Sequence, residues 1–433
     1  MFGYYLNLAL LSLKRNQVLT ALMVLAIAVG IGASMTTLTV VHLLSGDPIP
    51  GKSSVLYFPQ VDPEVPASAR HPEPYPAMDY RSAIDLWNAH RADRQAIITT
   101  SAVKVRVPDG SHPPLMLGML STSADFFPMF DVPFQYGSGW RPGDDASHSH
   151  VVVISADLNQ KLFGGADSVG RILRVRDADM RIVGVLKPWR PTPLFYDPWL
   201  QNFSQTEDVF TPFTSGLEIN KGNFQPYTCW HVPKDPHDMQ NSDCVWVWLW
   251  VELDSPAKVR DYTRFLDGYA DGQKALGRFA TGREHVRLRD VMTWLNARGM
   301  VPGDVRLQAW LAFAFLVICL FNAVGLLLAK FLRRSGEIGV RRALGASRRA
   351  IFSQCLVEAG VIGLLGGIGG WLLTLGGLWL VRQQPVDYAH LAHLDTGMFL
   401  VTFVMAVGTS LLAGVIPALR ASRVVPAWQL KAL

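Results

Sequence analysis

The sequence predicts an α-helical membrane protein with four transmembrane helices and an α+β extracytoplasmic domain inserted between helices 1 and 2. Three observations carry the prediction. Four apolar runs are long enough for a hydrocarbon core, which needs about 20 helical residues. Roughly 260 residues of ordinary soluble composition, room for one or two subdomains, lie between the first run and the second. Positive charge collects beside the runs, as it does on cytoplasmic flanks.

Of 433 residues, 49% are hydrophobic and 17% charged, a membrane-protein balance. The formal net charge of +5 hides a split: residues 47–306 hold 27 basic and 31 acidic side chains, the remainder 13 and 4. A basic excess confined to the flanks of apolar spans excludes a nucleic-acid-binding protein.

Residues 1–17 read as a cytoplasmic interfacial helix. Phe2, Tyr5, Leu6, Ala9, Leu10 and Leu13 recur at helical spacing, with Tyr4 and Tyr5 at headgroup depth. Transmembrane helix 1 covers residues 18–46. Its uncharged run exceeds the about 7–15 apolar residues of a signal peptide, so it reads as a retained anchor, with Lys14 and Arg15 holding the N-terminus inside.

The extracytoplasmic domain spans residues 47–306. The run Val151–Ile154 reads as a buried strand, followed by a helix capped by Ser155 and stopped by Gly164 and Gly165. Residues 172–176 and 181–186 alternate as paired strands around an Asp177–Asp179 turn. Residues 244–251 form a strand with Trp246, Trp248 and Trp250 on one face, a pattern of core packing more than of a ligand platform. Ser255 and Pro256 open a further helix, and the proline-rich stretch 59–76 reads as an irregular loop or edge. Cys229 and Cys244 either form a disulfide or remain two thiols of one loop. Cys319 and Cys355 are small apolar residues of the spans. No metal-ligand spacing appears, so no metal site is expected.

Transmembrane helix 2 is residues 307–332. A cytoplasmic segment, 333–350, follows; in and beside it Lys330, Arg333, Arg334, Arg341, Arg342, Arg348 and Arg349 face a single acid, Glu337. Transmembrane helix 3 is 351–381. Its pairs Gly363/Gly367 and Gly366/Gly370 let helices approach closely, either within one subunit or at a seam between two. The extracytoplasmic loop 382–396, with Arg382, Asp387, His390, His393 and Asp395, has no basic excess. Transmembrane helix 4 is 397–419. The cytoplasmic tail 420–433 carries Arg420, Arg423 and Lys431, which places both termini inside.

Three stretches give the chain a resemblance. Glu337-Ile-Gly-Val-Arg-Arg-Ala-Leu-Gly-Ala-Ser347 is similar to an EIG-x-R-R-A-x-GAS signature. Phe126, Gly139, Asp144, Val153-Ile-Ser155, Leu162-Phe-Gly164, Gly170 and Val183-Gly-Val185 fit an outer-domain pattern, and Gly414, Pro417, Arg420 and Pro426 a closing GxxPA pattern. In these and in its layout the sequence resembles the permease subunits of the MacB/FtsX-like class of ABC transporters.

The resemblance implies that cytoplasmic ATPase closure is relayed to the outer domain. Glu337, Arg341 and Arg342 would be polar contacts to the ATPase; Gly339, Gly345 and Ala346 would permit close docking; Ile338 and Ser347 complete the coupling segment. Arginines alone would serve topology and anionic lipid, but the surrounding EIG and LGAS residues are not needed for that. No G-x-x-x-x-G-K-[ST] loop occurs, so no enzyme or cofactor site is expected in this chain; ATP and Mg would be used by a partner.

The implied partners are two copies of a separate ABC ATP-binding subunit, a second permease (identical or homologous), membrane lipid and a periplasmic adaptor. The implied place is a bacterial cytoplasmic (inner) membrane. The implied task is export of, or resistance to, antimicrobial peptides, macrolide-like compounds, peptide signals or lipoproteins; the alternative is a mechanical regulator of a cell-wall hydrolase without transport. A membrane-anchored enzyme using Ser155 with His148 or His150 lacks a G-x-S-x-G elbow, and Ser155 is explained as a cap. The stretch 189–243, with Leu217, Phe224, Tyr227 and Trp230, matches no family pattern and reads either as a partner-facing surface or as a covered loop.

Overall fold

The computed structural model describes residues 2–15, 17–65, 72–108, 110, 112–199, 206–235, 237–299, 303–384 and 396–422. The chain divides into two compact units, residues 1–46 with 301–433, and residues 47–300.

The first unit opens with α1 (Phe2–Arg15) and α2 (Gln17–Ser45). The second unit then follows in the chain. It runs β1 (Leu56–Gln60), β2 (Met78–Asp79), α3 (Tyr80–Asn88), β3 (Arg94–Arg106), β4 (Leu115–Thr122), α4 (Phe126–Met129), β5 (Phe134–Gly137), α5 (Pro142–Ala146), β6 (Val151–Ile154) and α6 (Ala156–Phe163). It continues with β7 (Ile172–Val175), β8 (Ala178–Leu186), β9 (Val209–Pro212), α7 (Phe213–Asn220), β10 (Thr228–Cys229), β11 (Cys244–Glu252), α8 (Pro256–Ala275), β12 (Arg287–Asp290) and α9 (Val291–Ala297). The chain returns to the first unit with α10 (Gly303–Arg333), α11 (Ser335–Ala343), α12 (Arg348–Arg382) and α13 (Thr396–Ser422).

The strands of the second unit form one mixed sheet in the order β12-β1-β11-β3-β4-β9-β6-β8-β5, with β2 and β10 on β11 and β7 joining β3 to β8. The pairs β4–β9 and β6–β8 are parallel; the others are antiparallel. Parallel β6 and β8 need a crossover, and α6 lies in it. Ser155 caps α6 by accepting a bond from the Leu158 N–H at 3.0 Å, and Gly164 ends it at φ +63°. Ser255 caps α8 in the same way, with Pro256 at its first position.

Strand β11 is buried on both faces, so it reads as an apolar run without polar alternation. Helix α8 lays Tyr262, Leu266 and Ala270 (one face at four-residue spacing) into the cluster of Ile97, Trp246, Leu249 and Val251. The three tryptophans do not share one environment. The ladder shifts register between Val245 and Val247; Trp246 stacks on Phe224, while the indole N–H groups of Trp248 and Trp250 both donate to the Tyr196 carbonyl.

Two other expectations change. The β7–β8 turn falls at Arg176 and Asp177, because Val175 pairs with Ala178 and Arg176 adopts φ +51°. Pro59 lies inside β1, where its partner is Leu288 of β12 and β11 no longer runs alongside.

Among the described residues of the first unit, four stretches are long and apolar enough to cross a membrane: Gln17–Ser45, Leu307–Arg333, Arg348–Arg382 and Phe403–Arg420. Helix α10 starts at Gly303, four residues before the apolar stretch, so Asp304 and Arg306 lie in its first turn. It leaves Trp310, Phe313, Ile318 and Phe321 exposed, a surface suited to lipid.

Candidate functional site

Helix α11 is the short basic element between two of the long helices. Its sequence is amphipathic: Ile338 and Gly339 are buried, and Ile338 packs with Phe331, Ile351 and Cys355. The opposite side exposes Gly336, Val340, Ala343 and Leu344, with Val340 45% and Leu344 83% exposed. Gly345 ends the helix at φ +99°, where its N–H bonds to the Arg342 carbonyl and the Ala346 N–H to that of Arg341. This backbone conformation is a reason for glycine at 345 that close docking does not require. Ser347 caps α12 by accepting from the Ala350 N–H. Ala346 is half-buried, and Arg333, Arg348 and Arg349 are exposed around the segment.

The residues expected to be polar contacts have partners within the chain. Glu337 accepts from the Arg334 guanidinium at 3.1–3.2 Å and from Arg341 Nη2 at 2.8 Å, with Arg15 at 4.0 Å. Arg341 Nη1 also donates to Gln354 Oε1 at 2.9 Å, and Arg342 donates to the Ser422 carbonyl at 2.9 Å.

Sequence reasoning passed over the acid on which these contacts converge. Glu358, in α12, is 2% exposed, and Lys330 of α10 lies against it at 2.6 Å, itself fully buried. Arg334 reaches Glu358 Oε2 at 3.3 Å, and Ser12 of α1 donates to Glu358 Oε1. The available signal was a lone acid within an otherwise apolar span. Lys14 has no described side chain; Arg423, Lys431 and the loop with Asp387, His390, His393 and Asp395 lie outside the described residues.

The glycines of α12 lie against α2. A Cβ on Gly366 would meet Ile27 Cγ2 at 2.7 Å, and one on Gly370 would meet Ile31 Cγ2 at 2.9 Å, so these two serve packing within the chain. Gly363 and Gly367 are buried as well.

In the second unit, Cys229 and Cys244 are joined by a disulfide between β10 and β11, across 15 residues of sequence. Such a loop contributes about 3 kcal/mol on the chain-entropy model. The stretch 189–243 divides: Phe224 is core, Leu217 packs against the same cluster, Trp230 meets Tyr75 edge-on, and Tyr227 is half exposed. Ser155 Oγ also donates to Asp208, while His148 pairs with Glu218 at 2.6 Å, so the two form no nucleophile–base contact.

Among the described residues of this unit Asp62, Glu64, Asp145, Asp197 and Glu207 are buried, and Asp145 and Glu207 are shifted most. Asp145 is pushed up to about 7, chiefly by burial, against the bonds it accepts from the Ala124 and Trp140 N–H groups. Burial first, then nearby Asp197, raises Glu207, whose Oε2 accepts from the Tyr196 hydroxyl at 2.8 Å. A carboxyl with a raised folded-state pKa holds its proton more tightly folded than unfolded. Stability is therefore greatest below the ordinary carboxylate range and falls as pH rises, for Asp145 between about 4 and about 7. Across that window the contribution is on the order of 4 kcal/mol. Glu284, lowered to about 2, has the opposite sign, but it is exposed and screened, and its window lies below pH 4.5. Thermal unfolding of the full chain is expected at a lower temperature at pH 8 than at pH 5. Glu207→Gln, which keeps the Tyr196 bond, should narrow that gap; an unchanged gap would refute the assignment.

Among the described residues, four helices long and apolar enough to span a membrane, a basic helix between two of them, and a folded α+β unit in the chain between the first and second fit a multi-pass membrane protein. The MacB-like periplasmic core domain family matches residues 20–261, and the FtsX-like permease C-terminal family matches residues 309–426. The chain belongs to the MacB/FtsX-like family of ABC transporter permeases.

It is 25% identical over 297 residues to the macrolide export ATP-binding/permease protein MacB of Azoarcus sp. (strain BH72), covering 68% of this chain and 39% of that protein. It is 23% identical over 302 residues to the pyoverdine export ATP-binding/permease protein PvdT of Pseudomonas syringae pv. tomato, covering 69% and 40%. The chain thus spans about two-fifths of the length of these curated relatives. Among solved structures it is similar to the periplasmic region of MacB from Actinobacillus actinomycetemcomitans, with TM-score 0.37 and 11% identity, covering 57% of this chain and 94% of that one.

Proposed function

We propose that the chain is the permease subunit of an ABC transporter in which a separate ATPase, present in two copies, acts on the cytoplasmic segment 333–350. The motion is relayed to the extracytoplasmic domain 47–306, for export of or resistance to amphipathic molecules such as antimicrobial peptides, macrolide-like compounds, peptide signals or lipoproteins. The spans are 18–46, 307–332, 351–381 and 397–419. Residues 1–17 and 420–433 are cytoplasmic, and 382–396 lie outside. A second permease, identical or homologous, completes the assembly in the bacterial inner membrane.

The observation that carries this reading is the build of α11. It is fixed from behind by Ile338 and by Arg334, Glu337 and Arg341, and it presents Val340 and Leu344 bare. Exposed apolar side chains on a rigidly held, basic-flanked helix suit a protein partner more than solvent. The docking side is therefore Val340, Leu344 and Gly345 with Arg348 and Arg349, while Glu337, Arg341 and Arg342 orient the helix. The export names of the relatives favour transport over hydrolase regulation.

Purification of the chain from its native membrane tests the reading. An ATP-binding subunit should co-elute, accompanied by an adaptor or cargo. A full assembly that works without any nucleotide-hydrolysing component would refute it, and a retained cell-wall hydrolase would select the regulator.

A further inference from the structure

We infer that Glu358 is a positioning residue: one buried carboxylate in α12 that fixes both the coupling helix α11 and the N-terminal helix α1 to the bundle, acting through Arg334. The inference rests on the reading of α11 as the coupling element. Glu358 lies 10 residues into α12, about 15 Å along its axis from Arg348. A buried ion pair in a helix bundle is a poor source of stability, because two apolar residues of similar size usually do as well. What the pair supplies is geometry.

The two oxygens of Glu358 are divided. Oε1 takes Lys330 and the Ser12 hydroxyl, and Oε2 takes Arg334. Arg334 stands at the junction where α10 ends and α11 begins. Its Nη1 donates to Glu358 and, at 2.8 Å, to Ser12, while Nε and Nη2 hold Glu337. Glu337 passes the contact to Arg341, which returns to α12 at Gln354. Gln354 and Glu358 are four residues apart and share one face of α12. The chain of contacts is thus closed: α11 is held near its start through Arg334 and near its end through Arg341, both on the same face. Displacing α11 strains the Arg334–Glu358 contact, and α1 is tied to both partners through Ser12, which donates to Glu358 and accepts from Arg334.

The test separates geometry from stability. Nitroxide labels are placed at Leu11→Cys and Leu344→Cys, both exposed positions, in a full-length Cys319→Ala/Cys355→Ala background in lipid nanodiscs. Their distance distribution is read by double electron–electron resonance without nucleotide or ATPase. Lys330→Met/Glu358→Met removes the pair without leaving a lone buried charge. It should keep the wild-type unfolding temperature while the distribution broadens at least twofold.

Arg334→Gln leaves the Lys330–Glu358 pair intact and should broaden the distribution similarly. It keeps the inference testable if the double variant fails to fold. A distribution as narrow as wild type in Arg334→Gln, or in a folded double variant, overturns the inference. Broadening together with undiminished ATP-driven activity of the co-purified complex would uphold Glu358 as the positioning residue and refute the coupling reading instead.

Discussion

Leu344→Asp is expected to lower ATP-driven activity at least tenfold, with membrane insertion and the unfolding temperature unchanged. Leu344 is 83% exposed, so its truncation gives up little packing among the described residues. Its burial against a partner is worth about 1.5–3 kcal/mol, or roughly 10- to 150-fold in affinity. An aspartate there forfeits that burial and adds the cost of desolvating a charge at the contact. Glu337→Lys should reach the same loss by another route. It places a cation between Arg334 and Arg341, so α11 loses its hold on the bundle before any partner arrives. ATPase co-elution and ATP-driven activity, measured side by side, distinguish the two. Leu344→Asp should weaken binding in proportion to activity, while Glu337→Lys should also disorder the helix. Normal activity in both variants would refute the assigned lever.

The division of the site between Leu344 and Glu337 shows what one-dimensional reading can reach. The basic segment, its helical character and the four apolar runs are legible because charge bias and run length are local properties. The caps at Ser155 and Ser255 are legible for the same reason. What the sequence does not display is which side of α11 faces inward. The resemblance implies polar contacts from Glu337, Arg341 and Arg342 to an ATPase; in the structure Glu337 pairs with Arg334 and Arg341, Arg341 reaches Gln354 of α12, and the bare side is apolar. Glu358 was hidden by averaging: a single acid barely lowers the hydropathy of a 35-residue helix. Its partners Ser12, Lys330 and Arg334 come from elsewhere in the chain. The disulfide was open because two thiols in a loop do not specify a register; the pairing of β10 with β11, Cys229 opposite Cys244, does. The tryptophan run illustrates a third limit. Period-two spacing predicts one face only while the ladder is regular, and the shift between Val245 and Val247 removes that condition.

That tryptophan run also marks where the second unit is most sensitive. Trp250→Ala is expected to destabilise it by about 3–5 kcal/mol, the usual range for emptying a large aromatic site in a core. Trp250 is fully buried, with ring centroids of Phe58, Phe195 and Phe130 at 5.0, 5.4 and 6.0 Å. Each such contact adds about 0.5–1.5 kcal/mol beyond burial. The Tyr196 carbonyl keeps its bond from Trp248, so the loss arises from the cavity and the ring contacts and not from an orphaned acceptor. For a unit of this size that is roughly 10 °C in unfolding temperature. Trp250→Phe, which keeps a ring among its neighbours, should lose less than half as much. Tyr227→Ala is the control, since that ring is half exposed and surface substitutions stay within about 0.5 kcal/mol. Thermal unfolding of the three variants, followed by tryptophan fluorescence, checks the order. If Tyr227→Ala proved as costly as Trp250→Ala, the Gln225–Tyr227 segment would have to be packed against something in solution, and the exposed ring would become the first place to look for a partner.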